Sequence, residues 1–201
     1  GVILRYGDST LRAARVIIAA GAWAGSFLPA ELARHLQVFR QVLHWFPLTG
    51  DPAPYLPERC PVFVRLSDAE NQMMYGFPAI NGARGGLKIA CESLEESCDP
   101  NNVPSNVSAA ETEHLWRQAS RILPLGPEPV RQTTCLYTVT PDFGFVLDHH
   151  PQFPQIVIAS ACSGHGFKHS AAIGEILANL ACDEAPAVNI SAFSFSRLQQ
   201  Q

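Results

Sequence analysis

Two runs of residues carry the chemistry legible in this chain: Cys135-Leu-Tyr-Thr-Val-Thr-Pro-Asp142 and Ser163-Gly-His-Gly-Phe-Lys168. The first sets a thiol at the head of a strand-like segment. A thiol serves as a nucleophile or an attachment point only with thiolate character and access; otherwise a cysteine in a strand is a small core residue. The second run opens a helix. Gly164 and Gly166 let the main chain approach a ligand, the free amides of a helix start present partial positive charge, and Lys168 adds a full one. Such a loop favours a bound group on which negative charge develops. Short glycine motifs are weak signals, and alone this one is equally a strand-to-helix connection with a solvated lysine.

Other suggestive residues lead less far. Asp142-Phe-Gly144 spells the D-F-G of protein kinases, but none of the accompanying motifs is present and chance is the better account. His149-His150 lacks a second ligand cluster at useful spacing, so no metal is expected. Ser163 beside His165 is not a nucleophile elbow. The six cysteines contain no C-x-x-C pair, and reduced, mostly buried thiols of a cytoplasmic protein are expected. The sequons at Asn106 and Asn189 then carry no weight.

The elements that must position these residues follow from periodicity. Arg15 to Ala20 is a short apolar run stopped by Gly21 and is expected as a buried strand, with Ala22 to Leu36 helical and interrupted at Pro29. Gly1 to Asp8 is expected as an edge strand and Phe39 to Leu48 as an aromatic-rich strand. The proline-rich stretch 47–61 must be loop. Val62 to Leu66 and Asn71 to Phe77 are expected as strands joined by the turn Ser67 to Glu70, and a glycine-rich turn leads to the strand Leu87 to Ala90. Ser108-Ala-Ala-Glu111 is a capping box, followed by Leu115, Ala119 and Ile122 at helical spacing. Val130 to Thr140, Gly144 to Leu147 and Gln155 to Ala161 are expected as strands. Ile173, Ile176, Leu177 and Leu180 form the apolar stripe of a helix from about Ser170 to Ala181.

Composition narrows the class. Hydrophobic residues at 47% and charged residues at 16% suit a packed core rather than disorder. A formal charge of −4 gives no electrostatic reason to expect nucleic acid or an anionic membrane. No apolar run reaches the ~18–20 residues that span a bilayer, and the opening residues lack the layout of a signal peptide. The first residue is not Met, which suggests a piece of something longer.

Taken jointly, these residues resemble the monomeric sarcosine oxidase and N-methyltryptophan oxidase family of FAD-dependent amine oxidases. Cys135-Leu-Tyr-Thr138, Asp148, Pro151 and Gly164-His-Gly-Phe-Lys168 match its motifs, as do Val16 to Trp23, Tyr75-Gly-Phe-Pro78, Gly86-Leu-Lys88 and Ile190 to Arg197. The resemblance implies FAD held covalently through Cys135. It implies that Gly21, Trp23, Gly164, His165, Gly166 and Phe167 lie near the flavin, and that Lys168 meets the substrate carboxylate. Tyr75, Phe77 and Tyr137 would wall the pocket, and Lys88 would assist the reaction with oxygen. The implied substrate is a secondary amino acid, oxidised by molecular oxygen with release of hydrogen peroxide.

The implied fold is α/β plus α+β. Residues 1–36 and 135–201 would be the later part of a Rossmann-like FAD domain, and 37–134 a mostly antiparallel substrate-binding domain inserted in it. Two departures matter. Glu92 stands where the sarcosine oxidases have a histidine, which changes pocket charge and puts sarcosine itself in doubt. No G-x-G-x-x-G follows a strand anywhere, so the dinucleotide-binding βαβ is absent, the chain looks like a C-terminal half, and weak or no FAD binding by residues 1–201 alone is expected. A related dehydrogenase, an enzyme of cyclic amines, or a flavin-free interaction module are the rival expectations. The oligomeric state stays open.

Overall fold

The computed structural model describes residues 1–67 and 72–200. Of the expected turn Ser67 to Glu70, Ser67 ends a strand and residues 68–70 lie outside the described residues, as does Asn71 at the expected start of the next strand. The chain divides into two compact units, one made of Gly1–Val38 with Tyr137–Gln201 and the other of Phe39–Leu136.

In the first unit, β1 (Val2–Tyr6) and β2 (Ser9–Ala13) pair as an antiparallel hairpin where a single edge strand was expected. The Gly7-Asp8 turn, with Gly7 at φ 52°, closes it. β3 (Val16–Ile18) lies parallel to β10 (Ile156–Ser160), and β9 (Val146–His149) pairs antiparallel on the other side of β10. A strand with neighbours on both sides and cover on both faces needs a continuous apolar run, and Ile-Val-Ile-Ala supplies it. Val157 and Ala159 face α3 (Ser170–Ala181) through Ile176 and Leu177, while Ile158 packs with Ala24, Leu32, Phe195 and Leu198.

The segment after β3 departs from the expected helix. It forms a 3-10 stretch, Gly21–Phe27, and then the single-turn helix α1 (Ala30–Ala33). Leu28 precedes a proline and is extended (φ −116°, ψ 153°), which forbids one continuous helix. The strand expected at Gly144 to Leu147 begins later, at Val146, because the residues before it are drawn into a side-chain-held turn.

In the second unit a five-stranded sheet runs in the order β5 (Phe63–Ser67), β6 (Gln72–Phe77), β7 (Leu87–Cys91), β4 (Gln37–Phe46), β8 (Arg131–Val139). Strict alternation splits its faces. Phe46, Met74, Leu87 and Ile89 pack with Leu115 and Ala119 of α2 (Ala109–Ala119). Trp45, Tyr75, Phe77 and Lys88 belong to the opposite parity and share the other face.

The capping box of α2 forms as its sequence predicts: the Glu111 amide donates to Ser108 Oγ and the Ser108 amide to Glu111 Oε2, at 3.2 and 2.8 Å. Arg40 reaches the same carboxylate, with Nη1 2.5 Å from Oε1. Burial would push the Glu111 carboxyl up, but hydrogen bonds from Arg40 and Ser108 outweigh it and lower it to about 2. A lowered folded-state value gives stability that is complete above the ordinary value near 4.5 and lost as pH falls through 2. Glu111→Gln is therefore expected to lower the thermal midpoint at pH 7 by roughly 2–4 °C, screening included, and to leave it unchanged near pH 2. Thermal melts of both proteins across this range check it.

Candidate functional site

Within the first unit, three loops gather at one edge of a sheet. β3 and β10 run parallel with Ile18 opposite Ile158, so the segments leaving them, Gly21–Phe27 and 161–169, emerge at the same carboxyl edge. Ser160 pairs with Val146 at the start of β9, which brings the turn 140–145 there too. Crevices outside the carboxyl ends of parallel strands are where α/β sheets bind ligands.

The loop 161–169 is held from inside. The amides of His165 and Gly166 both donate to Cys162 O, and the Ser163 amide donates to Thr138 O. Ser163, at φ 40° and buried, donates its hydroxyl to Gly144 O at 3.0 Å, so it is a tie between loops. His165 Nε2 pairs with Phe143 O at 2.9 Å and its ring lies 4.8 Å from that of Phe145. Lys168 Nζ donates to His165 O at 2.9 Å. An ammonium has three protons, so this contact orients the cation and leaves donors over.

The two glycines do different work. Gly164 has φ 76°, which an L side chain adopts only under strain. Gly166 has an ordinary φ of −72°, but a Cβ there would stand 1.7 Å from Ala161 O. Glycine is needed there for close packing of the loop on the end of β10. Phe167–His169 form a 3-10 turn and α3 begins at Ser170, as its apolar stripe predicts, so the turn leads into the helix from the loop. Phe167 points away, 93% exposed. Gly21 has φ 53° with open space around its missing Cβ, and Trp23 is 44% exposed. The edge thus offers the Lys168 ammonium and the partly exposed Trp23 ring, which suit a flat, polar-edged ring system.

Asp142 was set aside as part of a chance motif, yet it organises this edge. Its Oδ1 accepts from Thr140 Oγ1 at 2.9 Å and from the Gly144 amide at 3.0 Å, and Arg197 Nε donates to Oδ2 at 2.6 Å. Arg197 and these bonds, against the pull of partial burial, hold the carboxyl well below the usual range. Asp142 and Arg197 stand 55 residues apart, and short-range patterns do not show such a pairing. His149 and His150 are structural: His149 Nδ1 meets Pro154 O at 2.7 Å and His150 Nε2 meets Phe27 O at 3.0 Å. Among the described residues no metal-binding cluster forms.

Within the second unit, Tyr75, Phe77 and Lys88 come together on the face away from α2. The Tyr75 and Phe77 rings meet edge-on at 6.3 Å, and Lys88 Nζ lies 4.5 Å from the Phe77 centroid. Cys135 is half-buried on β8, and Glu92, also half-buried, follows β7 and lines a cleft of about 850 Å³ with Arg40, His44, Glu111 and His114. Tyr137 is half-buried in the first unit. Trp45 and Arg131 were missed; only the register places them beside Lys88.

Residues 1–180 match the family described as FAD dependent oxidoreductase, and the chain belongs to it. It is 34% identical over 200 residues to the monomeric sarcosine oxidase of Streptomyces avermitilis, covering 98% of this chain and 52% of that protein. It is 30% identical over 192 residues to the N-methyl-L-tryptophan oxidase of Yersinia pestis, covering 96% and 50%. The chain thus spans about half the length of the curated relatives it matches. Its fold is similar to that of NikD, an amino acid oxidase essential for nikkomycin biosynthesis (TM-score 0.73, 21% identity, 96% of this chain, 52% of that one). Glycine oxidase from Geobacillus kaustophilus is comparably similar (TM-score 0.70, 22% identity, 97% and 48%).

Proposed function

We propose that this chain supplies the flavin-ring and substrate-facing parts of an FAD-dependent oxidase of N-methyl or other secondary amino acids. The observation that carries this reading is the convergence of three loops on the carboxyl edge of β3 and β10, in a chain that belongs to an FAD-dependent family. The choice of substrate class rests on the named activities of the relatives.

On this reading the first unit is the later part of a Rossmann-like FAD domain and the second is the substrate-binding domain. The chain corresponds to the C-terminal half of its relatives, and the dinucleotide-binding βαβ lies outside the 201 residues. FAD, when bound, accepts a hydride from the carbon beside the substrate nitrogen and passes electrons to oxygen. The loop 161–169 and Trp23 would hold the ring, and Cys135 would tether it through sulfur. Lys168 pairs with the substrate carboxylate while its bond to His165 O keeps it in place. Tyr75, Phe77 and Tyr137 exclude water from the reacting carbon. Lys88 presents the positive charge that oxygen reduction requires. Glu92, where the sarcosine oxidases have a histidine, changes the charge of the substrate-binding unit, so the reading covers secondary amino acids as a class and does not single out sarcosine. The setting is cytoplasmic, where the cysteines stay reduced.

The complete protein, supplied in air with a panel of N-methyl amino acids and cyclic secondary amino acids, is expected to release hydrogen peroxide. Its flavin absorbance should bleach when the same compound is added anaerobically. No bleaching with any member of the panel would overturn the reading.

A further inference from the structure

Four side chains on the face of the second unit away from α2 form a row that alternates aromatic ring and cation. Phe77 on β6 stands opposite Lys88 on β7, and Lys88 stands opposite Trp45 on β4. Lys88 Nζ lies 4.5 Å from the Phe77 centroid and 5.5 Å from that of Trp45, and Arg131 Cζ on β8 lies 4.7 Å from the Trp45 ring. All of these distances fall within the range of cation–π attraction.

The row solves a problem of charge. A lysine is most simply fixed in place by a carboxylate, but a carboxylate cancels the field that the ammonium would exert on a ligand. An aromatic face attracts the cation through its quadrupole and carries no net charge, so it fixes the position and leaves the charge intact. Lys88 and Arg131 have no acidic partner among the described residues, unlike Arg15, Arg40, Arg117 and Arg197, which each pair with a carboxylate. Arg131 on the far side of Trp45 holds the indole, which in turn limits where Lys88 can go.

We infer that Trp45, with Phe77, is a positioning residue that holds the Lys88 ammonium unneutralised for the reaction with oxygen. This rests on the reading of Lys88 given above. In that half-reaction a bound reduced flavin would supply two electrons and oxygen would take them with two protons to give hydrogen peroxide. The fixed cation favours the negative charge oxygen gains before protonation.

The test uses the complete protein as wild type, Trp45→Phe, Trp45→Leu and Lys88→Met. Reaction of the reduced protein with oxygen is followed by rapid mixing, separately from anaerobic reduction by substrate. In parallel, lysines are ¹³C-methylated and the Lys88 methyl resonance is assigned by its absence in Lys88→Met. W45L is expected to slow the oxygen reaction about tenfold with substrate reduction within twofold, and to reduce the upfield ring-current shift of Lys88 to the share due to Phe77. W45F is expected to restore most of both. An unchanged Lys88 shift in W45L overturns the clamp. If Lys88→Met leaves the oxygen rate unaltered, the oxygen role falls instead, and the methyl shift alone decides the clamp. Should W45L fail to fold, Phe77→Leu removes the nearer ring, and the Lys88 methyl shift alone is then read.

Discussion

Cys135→Ser in the complete protein is expected to abolish acid-stable flavin colour. The wild type, precipitated with acid and washed, should stay yellow, and the peptide containing Cys135 should carry the mass of the bound cofactor. The serine variant should give a colourless pellet and an unmodified peptide. Serine differs from cysteine by one atom, and position 135 is half-buried on β8 rather than part of the core of the second unit. The cost to folding should therefore stay below about 1 kcal/mol, so the change reports on the bond to sulfur. Serine is a far weaker nucleophile at its free pKa than a thiolate, which is why the substitution removes attachment and not merely slows it. Acid-stable flavin persisting in the variant would place the link elsewhere, and a colourless wild-type pellet would show that there is none.

Much of the frame of this site was written in local sequence. The strand–glycine–helix order at Ile156 to Ala181, the capping box at Ser108 and Glu111, and the alternation that puts Lys88 opposite in parity to Leu87 and Ile89 all depend on neighbours a few residues apart. The missed features depend on partners far along the chain. Trp45 meets Lys88 only because β4 pairs with β7 in one register, and a slip of one residue would put it on the other face. Asp142 gains its role from Arg197, and its bond to the Gly144 amide with Phe143 at φ 56° delays β9 until Val146. The helix expected after Gly21, with its interruption at Pro29, is broken more completely for a local reason. Pro29 breaks the path and forces Leu28 to be extended, so a 3-10 stretch and one isolated turn replace it.

The loop glycines show how a motif legible as chemistry can be mechanical instead, and this yields the second large effect. Gly166→Ala is expected to destabilise the first unit by at least about 3 kcal/mol, well above the ~1 kcal/mol expected for Gly21→Ala. At Gly21 the cost is backbone alone, since φ is 53° and a Cβ would meet nothing within 4 Å. At Gly166 the backbone is ordinary, but a Cβ would sit 1.7 Å from the oxygen and 2.6 Å from the carbon of the Ala161 carbonyl. No rotamer relieves a clash with main chain. Either the end of β10 moves, disturbing the buried Val157 and Ile158, or the loop lifts. Lifting it breaks the bonds from the His165 and Gly166 amides to Cys162 O, and the tie from His165 to Phe143. Denaturant unfolding of both variants in the complete protein gives the comparison. If Gly166→Ala costs no more than Gly21→Ala, the loop does not pack on β10 as described, and Gly166 is then free to serve the ligand approach first expected of it.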